Sequence, residues 1–270
     1  MPYALINKIR MHYEVYGHGD PVLMINGLSA PAVGWLLQVR DLAEKFQVVT
    51  LDNRGVGETD LPPEPVYTTP QMADDAAALL RHLKIKRAHV VGASMGGTTA
   101  QELALRHSRL VRSLTLACTW ANADGRFLHT IQSWMSLVSR VPVEERYRHV
   151  LYPWLFTPAF LADKAKVETA LQRALAYPHQ TKAGAIERQG RGILDWNGTR
   201  VKRLGTIRVP TLVLVGADDI LTPPTFSRAL VKLIRGARLQ ILPGGHAFFL
   251  EHAEQFNRAV VAFLKGVRAK

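Results

Sequence analysis

The chain has 270 residues, 47% of them hydrophobic, and a formal net charge of +12. That is the length of one large α/β domain or of a core with an insertion, with enough apolar residues for a well-buried interior. The single cysteine, Cys118, excludes an intramolecular disulfide and a thiolate metal cluster, and the dispersed Lys and Arg lack the interleaved aromatics of a nucleic-acid binder.

The first seven residues lack the basic and long apolar segments of a signal peptide and read as a strand. No run approaches the ~18 apolar residues of a membrane span, so a soluble, cytoplasmic protein with no membrane partner is expected. Residues 3–16 alternate loosely, and the turn residues of 17–21 suggest an antiparallel strand pair. Residues 22–25 and 48–51 are continuous apolar runs, typical of strands covered on both faces, with a helix-spaced segment at 39–46 between them. A helix over 71–83 would place Met72, Ala76, Leu79, Leu80 and Leu83 on one face. Further buried strands are expected at 90–91, 113–117, 211–215 and 239–242, alternating with helices at 96–107, 224–234 and 253–264. Cys118 ends an apolar run and reads as a small buried hydrophobe.

This alternation predicts an α/β fold with a mostly parallel sheet and helices on both faces. Residues 123–205 interrupt it with helix formers and the aromatics Trp134, Trp154, Phe156, Phe160 and Trp196. The expected organisation is a core of residues 1–122 and 206–270 with a helical cap inserted at 123–205. That segment holds 13 Lys and Arg against 7 Asp and Glu, either a solvated surface or a bias toward anionic substrates.

The run Gly92-Ala93-Ser94-Met95-Gly96-Gly97 lies between an apolar strand and a helix. At such a sharp turn, side chains two positions either side of the serine would collide, and glycine removes the collision. Ser94 is thereby a candidate nucleophile. Downstream, the strand 212–215 ends in Gly216-Ala217-Asp218-Asp219, placing two acidic residues at the carboxyl edge of the sheet. The last strand is followed by Gly244-Gly245-His246, a candidate general base. The order Ser, Asp, His is that expected of a nucleophile elbow with its acid and base.

These motifs, with Asn26-Gly27-Leu28, the turn 52–59 and the segment 245–251, resemble the α/β-hydrolase-fold serine hydrolases that carry a helical cap, carboxylesterases and enol-lactonases among them. The resemblance covers almost the whole chain. Its register selects Asp219 over Asp218 as the acid and implies an oxyanion hole of the Leu28 and Met95 backbone N–H groups. Asn26 stands where relatives have histidine and would hold the loop through its amide. Arg54 would order loops behind the nucleophile, and Trp35, Trp120 and Phe248 are candidates to line a substrate pocket with Met95. The implied activity is hydrolysis of small or medium carboxylic esters through an acyl-enzyme, with no metal or organic cofactor. Enol-lactone hydrolysis, carbon–carbon bond hydrolysis of anionic substrates and perhydrolysis could use the same residues, and a non-catalytic ligand receptor is a further alternative. Epoxide hydrolases and dehalogenases of this fold carry Asp at the nucleophile position, where this chain has Ser94.

Overall fold

Valine, leucine and isoleucine runs are stable as strands where helices cover both faces, and the chain uses them in this way. The computed structural model describes residues 2–267. Among these, eight strands form one sheet in the order β1-β2-β4-β3-β5-β6-β7-β8. They are β1 (Tyr3–Ile6), β2 (Ile9–Tyr16), β3 (Pro21–Ile25), β4 (Gln47–Leu51), β5 (Ala88–Ala93), β6 (Val111–Ala117), β7 (Thr211–Gly216) and β8 (Arg238–Leu242). β2 pairs antiparallel with β1 and β4, and every later pairing is parallel. β5 and β7 are buried along their whole length. β8, expected to be buried, is instead an edge strand with Arg238, Gln240 and Ile241 exposed, because no ninth strand covers its outer side.

The first hairpin also differs from expectation. It turns at Asn7 and Lys8, whose φ values of 47° and 70° are left-handed, and not at 17–21. Gly17 has a different reason to be glycine: a Cβ there would lie 2.2 Å from the Ala43 carbonyl oxygen. The segment 17–20 passes close to the end of a helix on its way to β3.

Helices α1 (Leu36–Leu42), α2 (Thr69–His82) and α3 (Met95–Arg106) lie between β3 and β4, β4 and β5, and β5 and β6. α1 starts three residues earlier than the apolar spacing indicates. α2 opens on Thr68, whose side chain accepts the Gln71 N–H at 3.2 Å, an N-cap that satisfies one otherwise orphaned donor. Between β6 and β7 the chain is helical: α4 (Gly125–Leu137), α5 (Val143–Glu145), α6 (Tyr152–Leu155), α7 (Pro158–Ala162), α8 (Lys164–Ala176), α9 (Ala183–Trp196) and α10 (Val201–Leu204), with a π-helical turn at Arg146–Leu151. Then come α11 (Pro224–Leu233), α12 (Phe248–Glu251) and α13 (Ala253–Gly266). Among the described residues no helix is long and apolar enough to cross a membrane.

Two apolar clusters sandwich the sheet. On one face Ala76, Leu79, Leu103 and Leu230 of α2, α3 and α11 pack with Val90 and Val213. On the other, Val39, Leu42, Phe256 and Val260 of α1 and α13 pack with Val91 and Leu214. With both faces filled, the carboxyl ends of β5, β7 and β8 are left facing the helical insertion. There, an open α/β sheet places its ligands.

Candidate active site

Ser94 follows β5 directly and caps α3. Its φ of 55° and ψ of −121° lie outside the ordinary regions for a residue with a side chain, strain of order 1–3 kcal/mol that the surroundings must hold. They do so by leaving no room for another path. A Cβ on Gly92 would come 2.2 Å from the Gly96 carbonyl oxygen, and one on Gly96 would come 2.1 Å from the Ile25 carbonyl oxygen. The two glycines thus permit the helix to start against the strand and against the end of β3. The Ser94 carbonyl accepts Thr119 Oγ1 at 2.8 Å, and its N–H donates to the Ala117 carbonyl at 2.9 Å.

Asp219 and His246 meet through the glycines that precede them. A Cβ on Gly216 would lie 2.2 Å from the carbonyl oxygens of both Gly244 and Gly245, so the ends of β7 and β8 touch at their backbones. His246 Nδ1 and Asp219 Oδ2 are 2.9 Å apart. Asp219 is 3% exposed, whereas Asp218 is exposed to solvent. The Asp219 carboxylate also accepts the Leu221 N–H at 2.9 Å, the Thr222 N–H at 2.7 Å and Thr222 Oγ1 at 2.8 Å. Burial alone would raise its pKa. The charge and hydrogen bond of His246, with the hydrogen bonds of Thr222, outweigh burial and hold the carboxyl below its ordinary range. A carboxylate only accepts, so the His246 contact is made by a proton on Nδ1, which in the neutral imidazole leaves the lone pair on Nε2. Among the described residues, no hydrogen bond joins Nε2 to Ser94 Oγ.

Thr222 carries no motif in the sequence, yet its hydroxyl lies within hydrogen-bond distance of both Asp219 and His246, 3.0 Å from Nδ1. The pattern Asp-x-x-Thr, a side chain accepting from its own turn, was its only trace. Glu251 is a second such residue. It accepts the Gly245 N–H at 2.8 Å and Thr157 Oγ1 at 2.6 Å, while the Ala247 N–H donates to the Leu155 carbonyl at 2.8 Å. Both neighbours of His246 are therefore tied down, on Leu155 directly and through Glu251 to Thr157.

The loop after β3 runs beside Ser94. A Cβ on Gly27 would be 3.1 Å from Ser94 Cβ and 3.6 Å from Oγ. Asn26 Nδ2 donates to the Pro31 carbonyl at 2.7 Å, the amide role expected for it. Among the described residues neither the Leu28 nor the Met95 N–H donates a hydrogen bond within the protein. Behind the loop, Arg54 makes a bidentate pair with Asp75 at 2.8 and 3.0 Å, both side chains 2% exposed. Asp52 accepts the Ala32 N–H at 2.6 Å and lies 2.9 Å from His12 Nδ1.

Burial would lower the pKa of His12, but its hydrogen bond and charge contact with Asp52, aided by Glu58 and Glu14, raise it above the ordinary value. A base whose pKa rises on folding contributes fully below its unfolded value of about 6.5 and loses that contribution as pH climbs through the folded value. His12→Gln is therefore expected to cost about 1.5–3 kcal/mol at pH 5.5, the range for hydrogen bonds to charged groups, and clearly less at pH 9. Urea denaturation at the two pH values measures the difference, and an equal loss at both would contradict it.

The aromatic residues expected to line a pocket separate into two groups. Trp35 and Phe248 are fully buried in the core beneath α1 and α13, with Trp35 stacked 6.3 Å from Phe256. They belong to a different cluster from Met95. Trp120 packs with Met95, Phe127, Ile193, Trp196 and Leu221, and Leu28 and Trp154 border the same cluster. An open hollow of ≈ 740 Å³ between β8 and α13, lined by Arg238, Gln240 and Phe263, shares no residue with this region.

A family model described as alpha/beta hydrolase fold matches residues 20–253. The chain belongs to the α/β-hydrolase fold family. One similar relative is the RutD protein of Azorhizobium caulinodans, which bears the name of a carbamate hydrolase. It is 33% identical over 269 residues, 97% of this chain and 98% of its own. The enol-lactonase of Burkholderia xenovorans LB400 superposes with a TM-score of 0.86 at 29% identity, over 98% of this chain and 100% of that one. A thermophilic esterase of Thermogutta terrifontis gives 0.87 at 25% identity, over 99% of both chains. As a member of the family the chain is a hydrolase, with the fold expected from its motifs.

Proposed function

We infer that the chain hydrolyses carboxylic esters of small or medium size through an acyl-enzyme on Ser94. The observation that carries this reading is the 2.9 Å contact between His246 Nδ1 and a buried Asp219, at the same sheet edge as the strained Ser94. His246 Nε2 takes the Ser94 proton as Oγ attacks the ester carbonyl, and Asp219 keeps the imidazole in the required tautomer and stabilises its charge. The Leu28 and Met95 N–H groups receive the oxyanion, one such donor being worth about 3–4 kcal/mol in the transition state. His246 then protonates the leaving alcohol, and water activated by the same imidazole releases the acid. Residues 123–205 act as a cap whose aromatic cluster around Trp120 and Trp154 receives the substrate.

A panel of p-nitrophenyl esters from acetate to decanoate tests the reading. Release with a defined chain-length optimum is expected, and release no faster than with Ser94→Ala would contradict it.

Arg146 favours a second reading, in which the substrate carries a carboxylate, as enol-lactones and carbon–carbon hydrolase substrates do. It is 7% exposed and, among the described residues, has no ion-pair or side-chain hydrogen-bond partner. It lies four and eight residues before Val150 and Trp154, one helical stripe, and both of those border the Met95 cluster. Its nitrogens still reach solvent, but with no ion-pair partner among the described residues this mostly buried side chain would gain a countercharge from an anionic substrate. Arg146→Met is expected to raise KM about tenfold or more for a p-nitrophenyl ester of a dicarboxylic acid and to leave p-nitrophenyl butyrate within twofold. Equal effects on both esters would remove this reading.

A further inference from the structure

Ser29 follows the loop residue Leu28 and has a φ of 61°, in the left-handed region that a serine enters only at a cost. Both of its backbone polar groups are taken by side chains far along the chain. Its N–H donates to Gln189 Oε1 at 2.9 Å, and its carbonyl accepts Thr181 Oγ1 at 2.8 Å. Gln189 is on α9 and Thr181 just precedes it, 160 and 152 residues away.

We propose that Gln189 and Thr181 are positioning residues that hold Ser29, and through it aim the Leu28 N–H at the oxyanion. The proposal rests on the ester-hydrolase reading above. The Ser29 N–H belongs to the peptide plane immediately after Leu28, so fixing it restricts rotation of the Leu28 backbone and the direction of its N–H. The core restrains the same loop on either side, where Asn53 Nδ2 donates to the Asn26 carbonyl at 3.2 Å before it, and where Asn26 meets the Pro31 carbonyl and Asp52 meets the Ala32 N–H after it. Between those ties, the two α9-side residues are the side-chain hydrogen bonds that reach the loop among the described residues.

The composition of α9 fits this role. Its buried residues are Ala185, Ile186, Gln189, Gly190, Gly192, Ile193 and Trp196, and Gln189 alone among them carries a polar side chain apart from the indole. A fully buried carboxamide is retained where it is hydrogen bonded, and Gln189 Nε2 also donates to the Arg54 carbonyl at 3.3 Å. The helix itself is seated firmly. A Cβ on Gly192 would come 2.1 Å from the Tyr67 carbonyl oxygen, and the Tyr67 N–H donates to the Arg188 carbonyl at 3.1 Å. Ile193 and Trp196 of the same helix pack in the cluster with Met95. One helix therefore borders the region around the nucleophile and clamps the neighbouring loop.

The test compares wild type with Gln189→Met, Thr181→Val and Thr181→Ser. Each is assayed for p-nitrophenyl butyrate hydrolysis, for inhibition by a phenylboronic acid whose tetrahedral adduct mimics the oxyanion, and for amide hydrogen exchange over residues 27–32. Gln189→Met and Thr181→Val are expected to lower kcat and boronate affinity in parallel, on the order of 10- to 100-fold, the loss typical of a catalytic group displaced by about an ångström. KM should change less than twofold, exchange in the loop should quicken, and Thr181→Ser, which keeps the hydroxyl, should behave as wild type. Boronate affinity and exchange unchanged in both hydrogen-bond-deleting variants would overturn the proposal alone. A wild type that neither hydrolyses the ester nor binds the boronate would overturn the ester-hydrolase reading and this proposal with it.

Discussion

Ser94→Ala is expected to lower kcat for p-nitrophenyl butyrate by about 10⁵- to 10⁶-fold while leaving KM within a few fold. The size follows from the unit nature of the machinery: without Oγ there is no acyl-enzyme, and His246 and the two backbone donors act on water alone. Such remnants retain on the order of 10³–10⁴-fold over the uncatalysed rate. The protein should not lose stability, because Ser94 Oγ makes no hydrogen bond among the described residues and the strain at φ 55° is the backbone's, not the side chain's. A residual rate within tenfold of wild type, in a protein with unchanged melting temperature, would mean that another group attacks the carbonyl.

Asp219→Asn is expected to cost about 10⁴-fold in kcat, and Asp218→Asn less than twofold. The two residues are neighbours, so the contrast isolates geometry from local charge. Asp219 is buried, accepts four hydrogen bonds and is held ionised by His246 and Thr222, whereas Asp218 faces solvent. An asparagine at 219 can offer its amide N–H to Nδ1, which would move the imidazole proton to Nε2 and remove the lone pair needed for attack. If it instead turns its carbonyl to Nδ1, the imidazolium loses its countercharge. Either orientation is damaging, and the two differ in the pH dependence of the residual rate. A large loss in Asp218→Asn with little in Asp219→Asn would reverse the assignment.

Strand runs and the serine turn were legible in the sequence because their causes are local. A both-faces-buried strand must be apolar throughout, and a serine at a strand-to-helix turn must have glycine at positions 92 and 96 for lack of space. The order Ser94, Asp219, His246 could be read because each residue follows its own strand at the carboxyl edge. Other features left no local trace. Trp35 lies in the connection after β3 and Trp120 just after β6, and only tertiary packing puts one under α13 and the other beside Met95. The first hairpin was misplaced because Gly17 looked like a turn residue, while Asn7 and Lys8 took up left-handed φ without glycine. Gln189 and Thr181 meet Ser29 across more than 150 residues, a contact that no periodicity or motif spacing encodes.

The central claim is that Ser94 becomes covalently acylated, and labelling with a fluorophosphonate followed by peptide mass mapping tests it most directly. One adduct per chain is predicted, on the peptide that carries Ser94, with ester hydrolysis lost in proportion and no adduct in Ser94→Ala. An unlabelled Ser94 in protein that still hydrolyses esters, or inactivation through an adduct on another residue, would contradict the account.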